Sequence, residues 1–233
     1  MFRGPRRRLD TDYVAFLGST ETFGKFVPAP FPAQVEQLIG VPSVNFGVVG
    51  AGIDAFYHDE TVMHAASNAR AVVVEIMGAH NLSNRFYTVH PRRNDRFVAS
   101  SQMLRALYRD LDFTEFNFTR HLLARLKAGD EDRFAMVVAE LQAAWVARMK
   151  SMLSRIAAPS ILLWFSDHEP DAIAKCGRGE SEPVLVTSDM LDDVAPFAVA
   201  VVKVVASPEE ISDGFEGLVF PPGEVEAARK VLG

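Results

Sequence analysis

The 233-residue chain has one cysteine, which excludes an internal disulfide framework and fits a reducing compartment. Nowhere does an apolar run approach the roughly 20 residues that a membrane-spanning helix needs. Positive charge is in deficit: 24 Lys and Arg stand against 30 Asp and Glu, a formal net charge of -6, with a pI near 5.5. That balance argues against general affinity for nucleic acid or an anionic membrane surface, which requires clustered cations. There is no coherent metal-ligand set, since His58 and His64 do not stand four apart as ligands on one helical face would, and both read as structural. The Gly-x-Gly-x-x-Gly spacing of a dinucleotide site is missing too, so neither metal nor cofactor is expected. Internal repeats, low-complexity tracts and linkers are absent. Arg6-Arg7-Arg8 gives the N-terminus a basic character, but the apolar run after it is only about five residues long, shorter than a signal-peptide core. The expectation is a soluble cytoplasmic protein whose first ten or so residues form a mobile arm.

What the chain does have is 48% hydrophobic and 23% charged content, enough to bury one full core as a single domain over residues 1–233. Five short apolar runs without polar alternation read as strands buried on both faces: Tyr13–Leu17, Ser43–Phe46, Ala71–Met77, Ser160–Phe165 and Phe197–Val205. Helical segments fall between them. Pro32–Ile39 has proline in its first turn and Gly40 just beyond its end, Asp54 is placed to cap a helix running to about Ala66, and Ser188–Val194 and Gly223–Leu232 complete the set. Alternation of this kind predicts an α/β fold: a flavodoxin-like three-layer sandwich around a five-stranded parallel sheet, with ligands at the carboxyl ends of the strands. From about residue 82 to 157 the rhythm breaks, and the stretch reads as an α-helical insertion. Its last segment, Glu131–Ile156, repeats apolar residues every three or four positions, including Val137, Leu141, Trp145, Met149 and Met152, as one buried helical face does.

The first strand runs directly into Gly18-Ser19-Thr20, which puts a hydroxyl on the turn leaving the sheet. Asn45-Phe-Gly47-Val-Val-Gly50-Ala-Gly52 follows the second strand, and Gly78-Ala-His80-Asn81 the third. In these blocks, in this order, the chain resembles the SGNH, or GDSL-like, hydrolase family. The resemblance implies Ser19 as a nucleophile, with an oxyanion hole formed by its own N–H, the N–H of Gly50 and the amide of Asn81. It departs from the family in two places. His80 stands where the third block has its Asn, and in the tail Gly217 and Phe220 occupy the positions of the family's Asp and His. A phenyl ring cannot accept the serine proton, so the family's usual dyad does not carry over. The segment His90-Pro-Arg-Arg-Asn-Asp-Arg-Phe97 also resembles a signature of an uncharacterised bacterial domain family of this fold.

Acyl transfer needs a nucleophile, a base within hydrogen-bond reach and donors aimed at the developing oxyanion. His80, one strand from Ser19, His90, from the insertion, and His168, two strands away, are the candidate bases, with His80 or His90 favoured. Ser19-Thr20 also reads as a simple turn cap, Gly47, Gly50 and Gly52 as left-handed turn residues, and Cys176 as an incidental loop thiol. Arg92, Arg93 and Arg96 form a local basic cluster able to clamp an anion at the rim of the site, or to be neutralised by Asp95 on a solvated loop. Three functions follow as expectations: an esterase or acyltransferase acting on a small ester or an O-acylated anionic glycan, a non-catalytic protein binding an anionic glycan or nucleotide-like ligand, or a transferase of surface-polysaccharide synthesis.

Overall fold

The computed structural model describes residues 2–171 and 182–206. The expected final helix over Gly223–Leu232, together with Cys176, Gly217 and Phe220, lies outside the described residues. Five strands form one sheet in the order β2-β1-β3-β6-β7: β1 (Val14–Leu17), β2 (Ser43–Asn45), β3 (Ala71–Glu75), β6 (Ser160–Ser166) and β7 (Ala200–Val205). Every pairing is parallel, and the order is the flavodoxin-like arrangement in which ligands sit at the carboxyl edge near β1 and β3. Parallel strands must be covered on both faces, which is why β1 and β3 are buried at every position and carry no alternation.

One face packs Val14, Phe16, Val73, Ile161 and Leu163 with α2 (Phe31–Ile39), whose Phe31 and Val35 are buried. On the other face lie α4 (Glu60–Ser67), α7 (Glu131–Arg155) and α8 (Ser188–Val194). Val137, Leu141, Trp145, Met149 and Met152 form the buried stripe of α7, as the three-and-four spacing predicts. The indole N–H of Trp145 donates to the carbonyl of Met77 at 2.7 Å, fastening α7 to the chain just beyond β3.

The helix expected from Asp54 to Ala66 is two pieces, α3 (Asp54–Tyr57) and α4. Asp59, not Asp54, caps the longer piece, accepting from the N–H groups of Thr61 (3.0 Å) and Val62 (3.1 Å). Asp54 is instead buried, holding the N–H of Ser83 (2.9 Å) and paired with Arg148 of α7.

The insertion is helical in its second part, through α5 (Gln102–Leu107), α6 (Thr119–Gly129) and α7. It opens, however, with an antiparallel hairpin of β4 (Tyr87–His90) and β5 (Arg93–Ser100). The hairpin escapes a pattern reading because its register shifts twice, so the buried positions of β5 are Asn94, Phe97 and Ser100, three apart instead of two, and the first of them is polar. Among the described residues no helix is long and apolar enough to cross a membrane.

Truncating Trp145 to alanine should cost about 3–5 kcal/mol, because it opens a cavity and orphans the Met77 carbonyl. Urea denaturation of the variant beside the wild type measures this, and a loss under about 1 kcal/mol would show that α7 does not anchor the sheet.

Candidate functional site

A cavity of ≈ 510 Å³ opens at the carboxyl edge of the sheet. Ser19 and Gly50 line it from the turns after β1 and β2, and His80 and Asn81 from the loop after β3. Glu21, Asp95, Arg120 and Glu182 contribute its charged groups. Chain segments far apart in sequence thus meet at the point where strand order reverses.

Ser19 sits at the N-cap of α1 (Thr20–Phe23) but makes no side-chain capping bond, and its hydroxyl has no hydrogen-bond partner among the described residues. The turn-cap role is therefore not taken up. Its backbone N–H, expected to face an oxyanion, is directed at the Glu75 carboxyl (3.1 Å). Gly50 donates its N–H to the Thr20 hydroxyl (3.2 Å). Of Gly47, Gly50 and Gly52, Gly50 is the one with a positive φ, at 69°, and a Cβ there would lie 2.7 Å from the Asp95 carboxyl carbon. Asn81 accepts the Thr119 hydroxyl at 2.7 Å through Oδ1, which leaves its amide N–H₂ as the donor end. The oxyanion hole expected from the sequence is thus not assembled in this form: two of its three donors are already engaged.

His80 is 1% exposed, its Nδ1 is buried without a partner among the described residues, and its Nε2 lies 3.6 Å from Glu182 Oε1. Burial pushes the imidazole pKa below its ordinary value; Arg120 acts in the same direction, while Glu182 and Asp95 oppose it. Near neutral pH His80 is accordingly uncharged. Burial alone would raise the Glu182 carboxyl, but protonated His80, present in the acid range where a carboxylate titrates, and Arg120, whose guanidinium is 2.6 Å away, outweigh it and hold its pKa below the ordinary value.

The remaining candidates stand elsewhere. His90 is exposed on the hairpin, where its Nδ1 accepts the N–H of Arg92 (3.2 Å). His168 pairs through Nδ1 with both Ser166 and Asp167 at 2.7 Å, and its ring packs edge-on against Trp164. Neither lines the cavity. The basic cluster does not converge: Arg92 and Arg93 are exposed, Arg93 lies 3.4 Å from Asp95, and Arg96 stacks over the Phe118 ring at 4.2 Å. Arg120, which the sequence reading passed over, is the guanidinium that lines the cavity, and it is already paired with Glu182.

What the segment around the arginines does hold is Asn94. Its side chain is fully buried, accepting from the N–H groups of Gly52 (2.8 Å) and Ala55 (3.0 Å) and donating to the His90 carbonyl (3.0 Å). The Asp95 N–H donates to the Gly50 carbonyl at 3.0 Å. These bonds lay the hairpin across the loop after β2 and deliver Asp95 to the cavity. Two signals pointed toward the missed groups: Glu75 is a lone carboxylate closing an apolar strand, and such a group must find partners when buried. The Asn-Asp between arginines is the other.

The fold and the site define an α/β protein with a cavity that carries charged side chains at the strand-order reversal of its sheet. Over residues 1–233 the chain matches, and belongs to, the family described as a domain of unknown function, DUF6473. A comparison with curated proteins finds no match. Among solved structures it is similar to a lipase, Lip_vut3, from a goat rumen metagenome. The two are 11% identical, with 92% of this chain and 89% of that one covered and a TM-score of 0.43, a likeness too distant to bear on chemistry.

Asn94→Ala takes the acceptor from the buried N–H of Gly52, the nearer of two acceptors from the N–H of Ala55 and a donor from the His90 carbonyl, and should destabilise the protein by about 1–3 kcal/mol. Hydrogen exchange should show the greatest loss of protection at Gly52, Ala55 and the hairpin, and little at β3; uniform loss would mean that Asn94 is not a local anchor.

Proposed function

We propose that this cavity carries out acyl transfer on small esters, as an esterase or an acyltransferase, with Ser19 as nucleophile and His80 as its base. One observation carries the reading: Ser19, Gly50, His80 and Asn81, drawn from the turns after three different strands, line a single cavity. These are the blocks in which the sequence resembles the SGNH hydrolases. The Ser19 hydroxyl has no partner among the described residues, and a neutral, buried imidazole is in the state that accepts a proton. Glu182, on the Nε2 side of His80, supplies the negative charge that stabilises the imidazolium once formed, a role the sequence reading had left vacant with the family's Asp. The oxyanion is received by the Asn81 amide and by the Gly50 N–H, which a developing negative charge takes over from the neutral Thr20 hydroxyl.

The charges of the lining favour a neutral substrate over an anionic glycan. Glu21, Asp95 and Glu182 face it against Arg120, and the arginines at 92, 93 and 96 contribute nothing to the wall. A second reading, a ligand-binding protein without catalysis, draws support from the engagement of the Ser19 N–H by Glu75.

Treatment with a fluorophosphonate probe followed by intact-mass analysis should label the wild type once and Ser19→Ala not at all. Labelling of both proteins alike, or of neither, overturns the nucleophile. Because the base form of His80 persists below the ordinary histidine value, the labelling rate should reach half its plateau below about pH 6.5, and His80→Gln should lower that plateau by about 10²–10⁴. A midpoint above the ordinary histidine value would rule out His80 as the base.

A further inference from the structure

Glu75 is the last residue of β3 and is 3% exposed. Its Oε2 accepts the backbone N–H of Ser19 (3.1 Å), the backbone N–H of Thr22 (3.1 Å) and the Thr22 hydroxyl. The first turn of α1 is therefore tied to the sheet through one carboxyl oxygen. A Cβ on residue 18 would collide with that oxygen, so Gly18 is what lets the turn close upon it. Glu21, next to Thr22, lines the cavity, and its carboxyl interacts with that of Glu75. Two carboxyl groups bond to one another only when one of them holds a proton. A proton held there would stand between a group that faces the cavity and a group that grips the Ser19 turn.

We propose that Glu75 and Glu21 are a one-proton positioning pair for Ser19. With the proton in place, Glu75 fixes the turn and the pair carries one negative charge. When the proton leaves, two negative charges adjoin the point where an alkoxide must form, and Ser19 loses reactivity. The inference rests on Ser19 being the nucleophile. Burial, reinforced by the Glu21 charge, holds the Glu75 carboxyl well above the ordinary carboxylate range, and burial raises Glu21 as well; the Thr22 donors act against this on Glu75. Across the cavity Glu182 opposes ionisation of Glu21 and Arg120 favours it, and those two are paired with each other. His80 and Asp95 are the other titratable groups nearby on the lining, along with His121 on α6. Like-charged carboxyls at one site cannot readily both ionise, which is the physical origin of the pair's second, higher titration.

The test is the fluorophosphonate labelling rate from about pH 4 to about pH 10 for the wild type, Glu21→Gln, Glu75→Gln and Glu75→Ala. The wild type should give a bell, rising as His80 loses its proton and falling about tenfold as the pair loses its own. Either glutamine variant should label and lack the falling limb, since one carboxyl remains and the amide can still bond to it. Glu75→Ala should label about tenfold more slowly at every pH, with Glu75→Gln restoring the rate, a rescue that a purely structural loss would not show. An infrared difference spectrum of wild type against Glu75→Gln at neutral pH should contain a protonated-carboxyl band. The proposal is overturned if that band is absent, if the wild type shows no falling limb, or if the limb persists in both glutamine variants. Wild type that does not label at all instead removes the nucleophile, and the positioning role with it.

Discussion

The buried amide of Asn94 is the constraint on which the candidate site depends. A parallel sheet offers its carboxyl edge as a row of loops with nothing to cover them, and here the cover comes from the insertion. Asn94 bonds two N–H groups of the loop after β2 and one carbonyl of its own hairpin, so the inserted chain is fastened to the sheet through a fully buried amide. From that anchorage follow the placement of Asp95 beside Gly50, the bridge from Thr119 to Asn81, and the arrival of Arg120 and His121 at the cavity. Without it, Ser19 and His80 would stand in an open groove.

The framework of the fold was legible because its physics is periodic. Strands buried on both faces are apolar without alternation, as Val14–Leu17 is throughout and as Ala71–Glu75 and Ser160–Ser166 are between their ends. The stripe on α7 was equally plain. The hairpin was not, because shifts in its register replace alternation with an irregular pattern and place an asparagine at an inward position. A polar residue in a basic stretch reads as solvated, and only its three partners, two of them some forty residues away, reveal that it is core.

The site was legible to the extent that its residues lie at strand ends. Ser19, Gly50, His80 and Asn81 were all found that way. His90, His168 and the arginines were selected by residue type, and type says nothing about the direction in which a side chain points. Arg96 illustrates the cost: its guanidinium lies over Phe118, satisfied by a ring instead of an anion. Conversely, Glu21 and Glu182 escape a reading by residue type, and Asp95 stands out only as a partner for the arginines, because all three look like any surface acids until the chain brings them together.

The lining is gathered from separate pieces of chain, the first at Ser19 and the last at Glu182, with the hairpin and α6 between them. Contacts between segments so remote in sequence close late, since each demands the loss of much chain entropy before it gives anything back. The cavity is thus a report that the described segments from Ser19 to Glu182 have been correctly threaded. Any small molecule that settles there binds only when these segments have met, and so acts as a clamp on their arrangement, drawing the folding equilibrium toward it.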